Sequence, residues 1–398
     1  MRTVLVTGPG GSGRTTIAAA SALAAAREGR RTLLVTTDPV PGLTGSPAGA
    51  APAVTAGGLH HVRTDSAGHF RAELTALQDR ASGVLDLLGA NRMDGEELTE
   101  LPGSHQLALL HTLHRAAAGD WSEDRYDVLV VDLPPLADAL ALLALPGQLR
   151  RYLRRLLPPE RQAARALRPM LAQIAGVPMP AQWLYEAAAR KDTELAAVER
   201  LLRDRATTLR LVAEPGPAAE DALGRARTGI ALHGLRVDTL VANRVLPRHS
   251  PDPWFADLGA RQDKCLDLWR EGPEALTEVP HLGRDPRTAD DLAPLGAHCV
   301  PDQRIPGPAP DPWWTEDTRG EPGGEGLLTW CLPLPGAVKE DLRLVRRGDE
   351  LLLTAGEFHR TLRLESALRR CTVVGAALTD GVLRVRFAPD PELWPRAR

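Results

Sequence analysis

Eight residues near the start of the chain, Gly8-Pro9-Gly10-Gly11-Ser12-Gly13-Arg14-Thr15, limit what it can fold into more than any other stretch. They lie between a short apolar run, Val4-Leu5-Val6, and an alanine-rich segment over residues 15–27 that reads as a helix. Glycines let the backbone curl until successive N–H groups face one point, and the positive end of the helix dipole faces the same point. Such a turn receives an anion, above all a phosphate. A second apolar run follows at residues 32–37. Strand, helix and strand in that order make a βαβ unit, so a parallel sheet is expected.

Three readings of the loop compete. Its spacing is that of a phosphate-binding P-loop, G-x-x-x-x-G-K-[ST], with Arg14 in the Lys position and Thr15 as the hydroxyl that would meet Mg²⁺. The same residues spell a dinucleotide fingerprint with Gly8, Gly10 and Gly13, for which Asp38 would accept a ribose hydroxyl. The third reading is a tight turn that binds nothing. Three further features favour the P-loop. Asp132 ends a buried strand over residues 126–131, where a carboxylate can orient Mg²⁺ through water. Thr15 and Thr16 place paired hydroxyls after the loop, and Asp38 precedes Pro39 in a segment able to follow a γ-phosphate.

Composition narrows the class. The chain has 398 residues, 43% of them hydrophobic and 25% charged, as in a globular protein of two or three domains. The formal charge of −3 provides no basic field for nucleic acid or an anionic membrane. Cys265, Cys299, Cys331 and Cys371 lie far apart, which argues against a disulfide framework and a cysteine zinc site. No stretch reaches the ~18 uninterrupted apolar residues of a membrane span, and a cytoplasmic protein is expected. His111 and His114 share a helical face but lack a third ligand nearby, so a surface pair is expected.

Further along, Phe70, Leu74, Leu77, Ala81, Val84 and Leu88 recur at spacings of three and four, predicting one apolar face of a helix. Residues 148–206 read as helical, with arginines at 150, 151, 154 and 155 forming a solvated face. Strands are expected at 209–213, 237–242 and 276–279, with helices near 217–233 and 254–270. Residues 303–326 are rich in proline and glycine and read as a linker. Beyond it, short alternating strands predict a small antiparallel β-sandwich over 327–398.

Taken in order, residues 2–300 resemble the ArsA-type ATPase family, which contains arsenical-pump ATPases and targeting factors for tail-anchored membrane proteins. Gly8 to Thr16 resemble the family's G-K-G-G-V-G-K-T-T, and Thr36-Thr37-Asp38-Pro39 resembles its first switch, whose Asp positions the attacking water. Asp132 to Pro146 align without a gap on the second switch. Asn243-Arg244-Val245-Leu246-Pro247 resembles the adenine-side segment, and Val279-Pro280 the loop that packs on the base. The last domain is similar to the α-crystallin (small heat-shock) fold found in some members, through Leu332-Pro333-Leu334-Pro335-Gly336 and Asp380-Gly381-Val382-Leu383-Arg384-Val385.

The resemblance implies a P-loop α/β domain over 1–302, with a mainly parallel sheet between helices and a helical subdomain at about 65–120 and 148–206. It implies ATP and Mg²⁺ as ligands, with phosphate cradled by Gly8, Gly10, Gly11, Ser12, Gly13, Arg14, Thr15 and Thr16. Thr15 and Asp132 would serve the metal through water, Asp38 and Arg14 would act in hydrolysis, and Asn243 and Pro280 would hold adenine. A homodimer is implied, with a protein client or partner at the helical subdomain or the sandwich. The chain departs from the pattern where chemistry is expected: the signature Lys is Pro9, the P-loop Lys is Arg14, and T-G-H of the second switch is Leu136-Ala137-Asp138. These changes predict weak or lost hydrolysis with nucleotide binding retained. A non-catalytic interaction protein on the same fold is the alternative, and a dinucleotide enzyme a further one. Arsenite capture would need converging thiols, of which the four spread cysteines give no sign, and the four methionines (Met1, Met93, Met170 and Met179) are too few to predict a Met-rich cargo groove.

Overall fold

The structure is a computed structural model that describes residues 1–43, 48–49, 51–82, 85–86, 89–121, 125–157, 181–302, 312–318 and 326–394. Its strands β1 (Arg2–Thr7), β2 (Thr32–Thr36), β3 (Ala53–Val54), β4 (His60–Arg63), β5 (Val128–Asp132), β6 (Thr207–Ala213), β7 (Val237–Val245) and β8 (Leu276–Pro280) form one sheet in the order β3-β4-β2-β5-β1-β6-β7-β8. All neighbours are parallel except β3, which runs antiparallel to β4. Both faces are covered, so the central strands β1, β2, β5 and β6 are buried along their whole length rather than on alternate residues. Val4, Val6, Leu34, Val130 and Val212 pack on one side against helices α1 (Arg14–Arg27) and α8 (Ala289–Cys299). Leu5, Leu33, Val131, Leu209 and Leu211 pack on the other side.

That second side holds α2 (Ser66–Arg80), α3 (Ser104–Ala118), α4 (Leu136–Leu156), α5 (Ala181–Arg203) and α6 (Pro217–His233), with α7 (Pro253–Arg270) beside β8. The predicted apolar face of α2 is half-buried at Phe70 and Leu74 and exposed at Leu77. The helix ends at Arg80, with Ala81 as its C-cap, and none of its residues is fully buried. It lies at the rim of the helical layer, packed chiefly on α3, so its apolar residues meet a single neighbour. Val84, Leu88 and residues 158–180 lie outside the described residues. The arginines of α4 are not simply solvated. Arg150 pairs with Asp192 at 2.9 Å and Glu199 at 2.5 Å on α5, and Arg151 pairs with Glu350 of the last domain at 2.9 Å.

The C-terminal part is a small antiparallel sandwich. One sheet has the order β14 (Cys371–Thr379), β15 (Val382–Pro389), β10 (Leu328–Pro333) and β9 (Trp314–Asp317). The other has β11 (Leu342–Arg347), β12 (Glu350–Ala355) and β13 (Phe358–Arg363), and the short helix α9 (Ser366–Arg369) leads into β14. Thus four of the residues expected in the linker form an edge strand, β9, paired with β10. Trp330, Leu332, Val385 and Phe387 face Leu351, Leu353 and Leu362 across one core. The sandwich rests on α6. A Cβ at Gly229 would lie 2.7 Å from the Phe358 ring, and the Thr228 hydroxyl donates to the Pro335 carbonyl at 2.7 Å.

Candidate functional site

Parallel strands release their following loops at the same edge of the sheet, and the reversal of strand order around β1 opens a crevice there. The loops after β1, β2, β5, β7 and β8 therefore meet at one place, although their residues span Gly8 to Pro280. The loop after β1 is shaped by close contacts. A Cβ on Gly8 would come within 1.8 Å of the Val212 carbonyl oxygen, so only glycine fits under β6. Gly11 and Gly13 take left-handed conformations, with φ of 78° and 86°. The first helical bond of α1 runs from the Ile17 amide to the Gly13 carbonyl at 2.9 Å, and no side chain caps the helix. The amides of Arg14, Thr15 and Thr16 precede that bond and face outward from the helix end.

Across the loop, Asp132 ends β5 with 2% of its surface exposed. The Thr15 hydroxyl donates to Asp132 Oδ2 at 2.6 Å, while Asp132 Oδ1 is buried with no hydrogen-bond partner. Burial pushes this carboxyl up to about 6, with the Asp38 charge adding to the rise; the Thr15 hydrogen bond and the Arg14 charge oppose it. A buried carboxylate that costs this much and keeps one oxygen unsatisfied is suited to a bound cation. Thr15 and Asp132 thus fit the hydroxyl and carboxylate that a hydrated Mg²⁺ requires. Asp38 is exposed at the end of β2, close enough to act on Asp132 electrostatically.

Arg14 does not extend along the loop as a phosphate-binding lysine does. Its guanidinium donates to the Leu133 carbonyl, directly after Asp132. Ser12 is buried with no partner for its hydroxyl, and its amide donates to the Pro9 carbonyl at 3.3 Å. Gly10 and Gly11 form the exposed tip. Gly13 and Thr16 line a cavity of about 240 Å³ together with Asn243, Arg244, Pro280 and Arg287. Asn243 is buried and its amide donates to the Ser12 carbonyl at 2.8 Å. The residues singled out from the sequence are therefore brought to one edge of the sheet.

Two features had no sequence signal. Arg244 donates to the Gly11 carbonyl at 3.1 Å and meets Glu214 at 3.1 Å. Strand alternation alone would point it away from Asn243. In the helical layer, His69 of α2 stacks on His111 with ring centroids 4.6 Å apart, and both line a small cavity with His114, Glu73 and Glu194. The expected surface pair is thus joined by a third histidine, because α2 folds onto α3 across 42 residues of sequence. Among the described residues, no three His, Cys, Asp or Glu side chains converge as metal ligands. All four cysteines are buried. Among the described residues no helix is long and apolar enough to cross a membrane.

Comparison with known proteins bears on this edge. A family model for anion-transporting ATPases matches residues 1–282, and one for the HSP20-like domain found in ArsA matches residues 325–387. An uncharacterised protein of Streptomyces coelicolor is 58% identical over 402 residues, spanning all of both chains. A putative arsenical pump-driving ATPase of Aquifex aeolicus is 24% identical across 93% of this chain and 95% of its own. An arsenical pump-driving ATPase of Escherichia coli is 26% identical over 288 residues, 69% of this chain and 43% of that protein.

Proposed function

The chain belongs to the anion-transporting ATPase family, and we propose that it is an ATP-binding member that works as a nucleotide-dependent switch with slow or absent hydrolysis. The observation that carries this reading is the Thr15–Asp132 contact beneath a glycine loop, with Asp132 Oδ1 left unsatisfied. Gly8 to Thr16 would cradle the phosphates through backbone amides. Thr15 and Asp132 would hold magnesium through water, whose charge would offset that of the phosphates. Asn243 and Pro280 would border the base. Asp38 would orient water.

The reduced hydrolysis rests on two residues. Pro9 has no cation to offer a partner's nucleotide, and the Arg14 guanidinium is engaged by the Leu133 carbonyl rather than free for a γ-phosphate. One cation at a transferring phosphate is worth ~10³–10⁵ in rate, so losing it reduces turnover far more than binding. The same engagement of Arg14 favours the second reading, a non-catalytic interaction protein on this fold. A homodimer is proposed because the match spans only 43% of the Escherichia coli relative, leaving length there for a second such half. Partners or clients at the helical layer or the sandwich, and a cytoplasmic location, belong to the same proposal.

Isothermal titration with ATP and ADP, run beside a phosphate-release assay, tests the proposal. Binding without appreciable release is expected. Rapid Mg-ATP turnover abolished by Asp38→Asn would overturn the slow-hydrolysis part. Absence of nucleotide binding would overturn the rest and favour the second reading.

A further inference from the structure

We infer that Arg244 is a positioning residue that, with Asn243, holds the phosphate loop open for its ligand. The inference rests on the nucleotide reading of that loop. Side chains of consecutive strand residues point to opposite faces. Yet Asn243 and Arg244 both reach the same loop: the Asn243 amide donates to the Ser12 carbonyl at 2.8 Å, and the Arg244 guanidinium to the Gly11 carbonyl at 3.1 Å.

The backbone shows how. Between the pairs Ala242–Glu278 and Val245–Pro280, β7 advances three residues while β8 advances two, so β7 carries one extra residue. At that bulge Arg244 takes a left-handed conformation, φ 58°, one of two non-glycine residues with positive φ among those described. Bulges re-aim a side chain, and a non-glycine residue in this region is strained. Glu214, 3.1 Å from the guanidinium, holds it in place.

In a trans peptide the carbonyl and the next N–H point in opposite directions. Drawing the Gly11 and Ser12 carbonyls toward β7 turns the Ser12 and Gly13 amides away from it. The Ser12 amide closes the turn onto the Pro9 carbonyl at 3.3 Å, and the Gly13 amide, turned the same way, would join those of Arg14, Thr15 and Thr16. A side chain at Gly13 would collide with the Asn243 amide nitrogen at 2.3 Å, so the two sides fit closely. Arg244 thus acts through the loop backbone, and its charge stays beside the cavity that Thr16 and Pro280 line.

The test uses the full chain with Arg244→Gly, which removes the guanidinium and relieves the strained φ, and Arg244→Lys, which keeps the charge. Hydrogen exchange over residues 9–14 is measured without nucleotide, and ADP and adenosine affinities by titration. For Arg244→Gly we expect faster exchange in the loop and an ADP Kd raised about tenfold, the scale of one charge-assisted hydrogen bond. Adenosine, which meets only the base cavity that Arg244 helps to line, should lose clearly less affinity than ADP, and the melting temperature should hold or rise. Arg244→Lys should recover part of the ADP affinity. A residue needed only for stability would lower the melting temperature and weaken both ligands by the same factor, which would overturn the inference. So would unchanged loop exchange. Faster exchange in a protein whose unaltered form binds no ADP would support the clasp and overturn the nucleotide reading instead.

Discussion

Asp132→Asn should make the ligand-free protein more stable while abolishing its response to Mg-ADP. The carboxyl is buried and raised to about 6, against 3.8 for an unperturbed Asp. At pH 8 the folded state therefore holds a carboxylate it disfavours by about 3 kcal/mol, taking 1.36 kcal/mol per unit of pKa. Asparagine keeps the shape and an acceptor for the Thr15 hydroxyl but carries no charge. The ligand-free melting temperature should rise by roughly 6 °C, at about 2 °C per kcal/mol for a domain of this size. The sign with pH is specific. A raised carboxyl binds its proton more tightly when folded, so the unaltered protein gains stability from this group as pH falls from 6 to 3.8. The advantage of the variant should be full at pH 8, smaller at pH 5 and absent below 3.8. With Mg-ADP at ~100 Kd, the unaltered protein should gain ~2.7 kcal/mol and the variant little. Differential scanning fluorimetry at pH 8 and pH 5, with and without ligand, measures both effects. A variant less stable than the parent at pH 8, or one that keeps the full Mg-ADP shift, would refute the assignment of Asp132 as a buried carboxylate held for a cation.

The remaining predictions concern the loop, the strand floor and pH. Arg14→Lys should raise phosphate release by at least about tenfold, because an ammonium reaches a phosphate as a point charge where a guanidinium prefers a planar acceptor; steady-state release with Mg-ATP checks it. Gly8→Ala should destabilise by several kcal/mol, on the order of 3, since its methyl would overlap the Val212 carbonyl, and urea unfolding would show it. Asp238→Ala should cost about 3–5 kcal/mol, because Arg2 and Arg210, both buried, share that carboxylate at 3.3 and 2.9 Å. His61 and His233 are each lowered to about 4, chiefly by burial, so they are neutral when folded. Their contribution is complete above pH 6.5 and is lost as pH falls toward 4, opposing the gain from Asp132; His61→Gln should lessen the acid-side fall of the urea midpoint.

The strands and the loop were legible in the sequence because they are local. Runs of three or four consecutive apolar residues do not alternate and so mark strands covered on both faces, and β1, β2, β5 and β6 lie within a residue or two of their expected bounds. Gly8 and Gly13 could be read because glycine is chosen by contact and dihedral angle, which leave no substitute. What was not legible depends on partners distant in sequence. The half-burial of α2 follows from its place at the rim. The Arg150 pairs depend on α5 lying alongside α4, and the third histidine on α2 lying against α3. Tryptophan-rich residues inside a proline-rich stretch became β9 because β10 offered an open edge.

The order of residues alone determined that a βαβ unit begins the chain and that its first turn presents amides to an anion, because backbone dihedrals and helix ends are properties of a few neighbouring residues. Only the tertiary structure decided that Asp132 would sit under Thr15 with one oxygen bare, that Arg14 would turn to Leu133, and that Asn243 and Arg244 would grip the same loop. Those outcomes depend on sheet order, on one extra residue in β7 and on the solvent that burial removes, none of which is encoded at a single position.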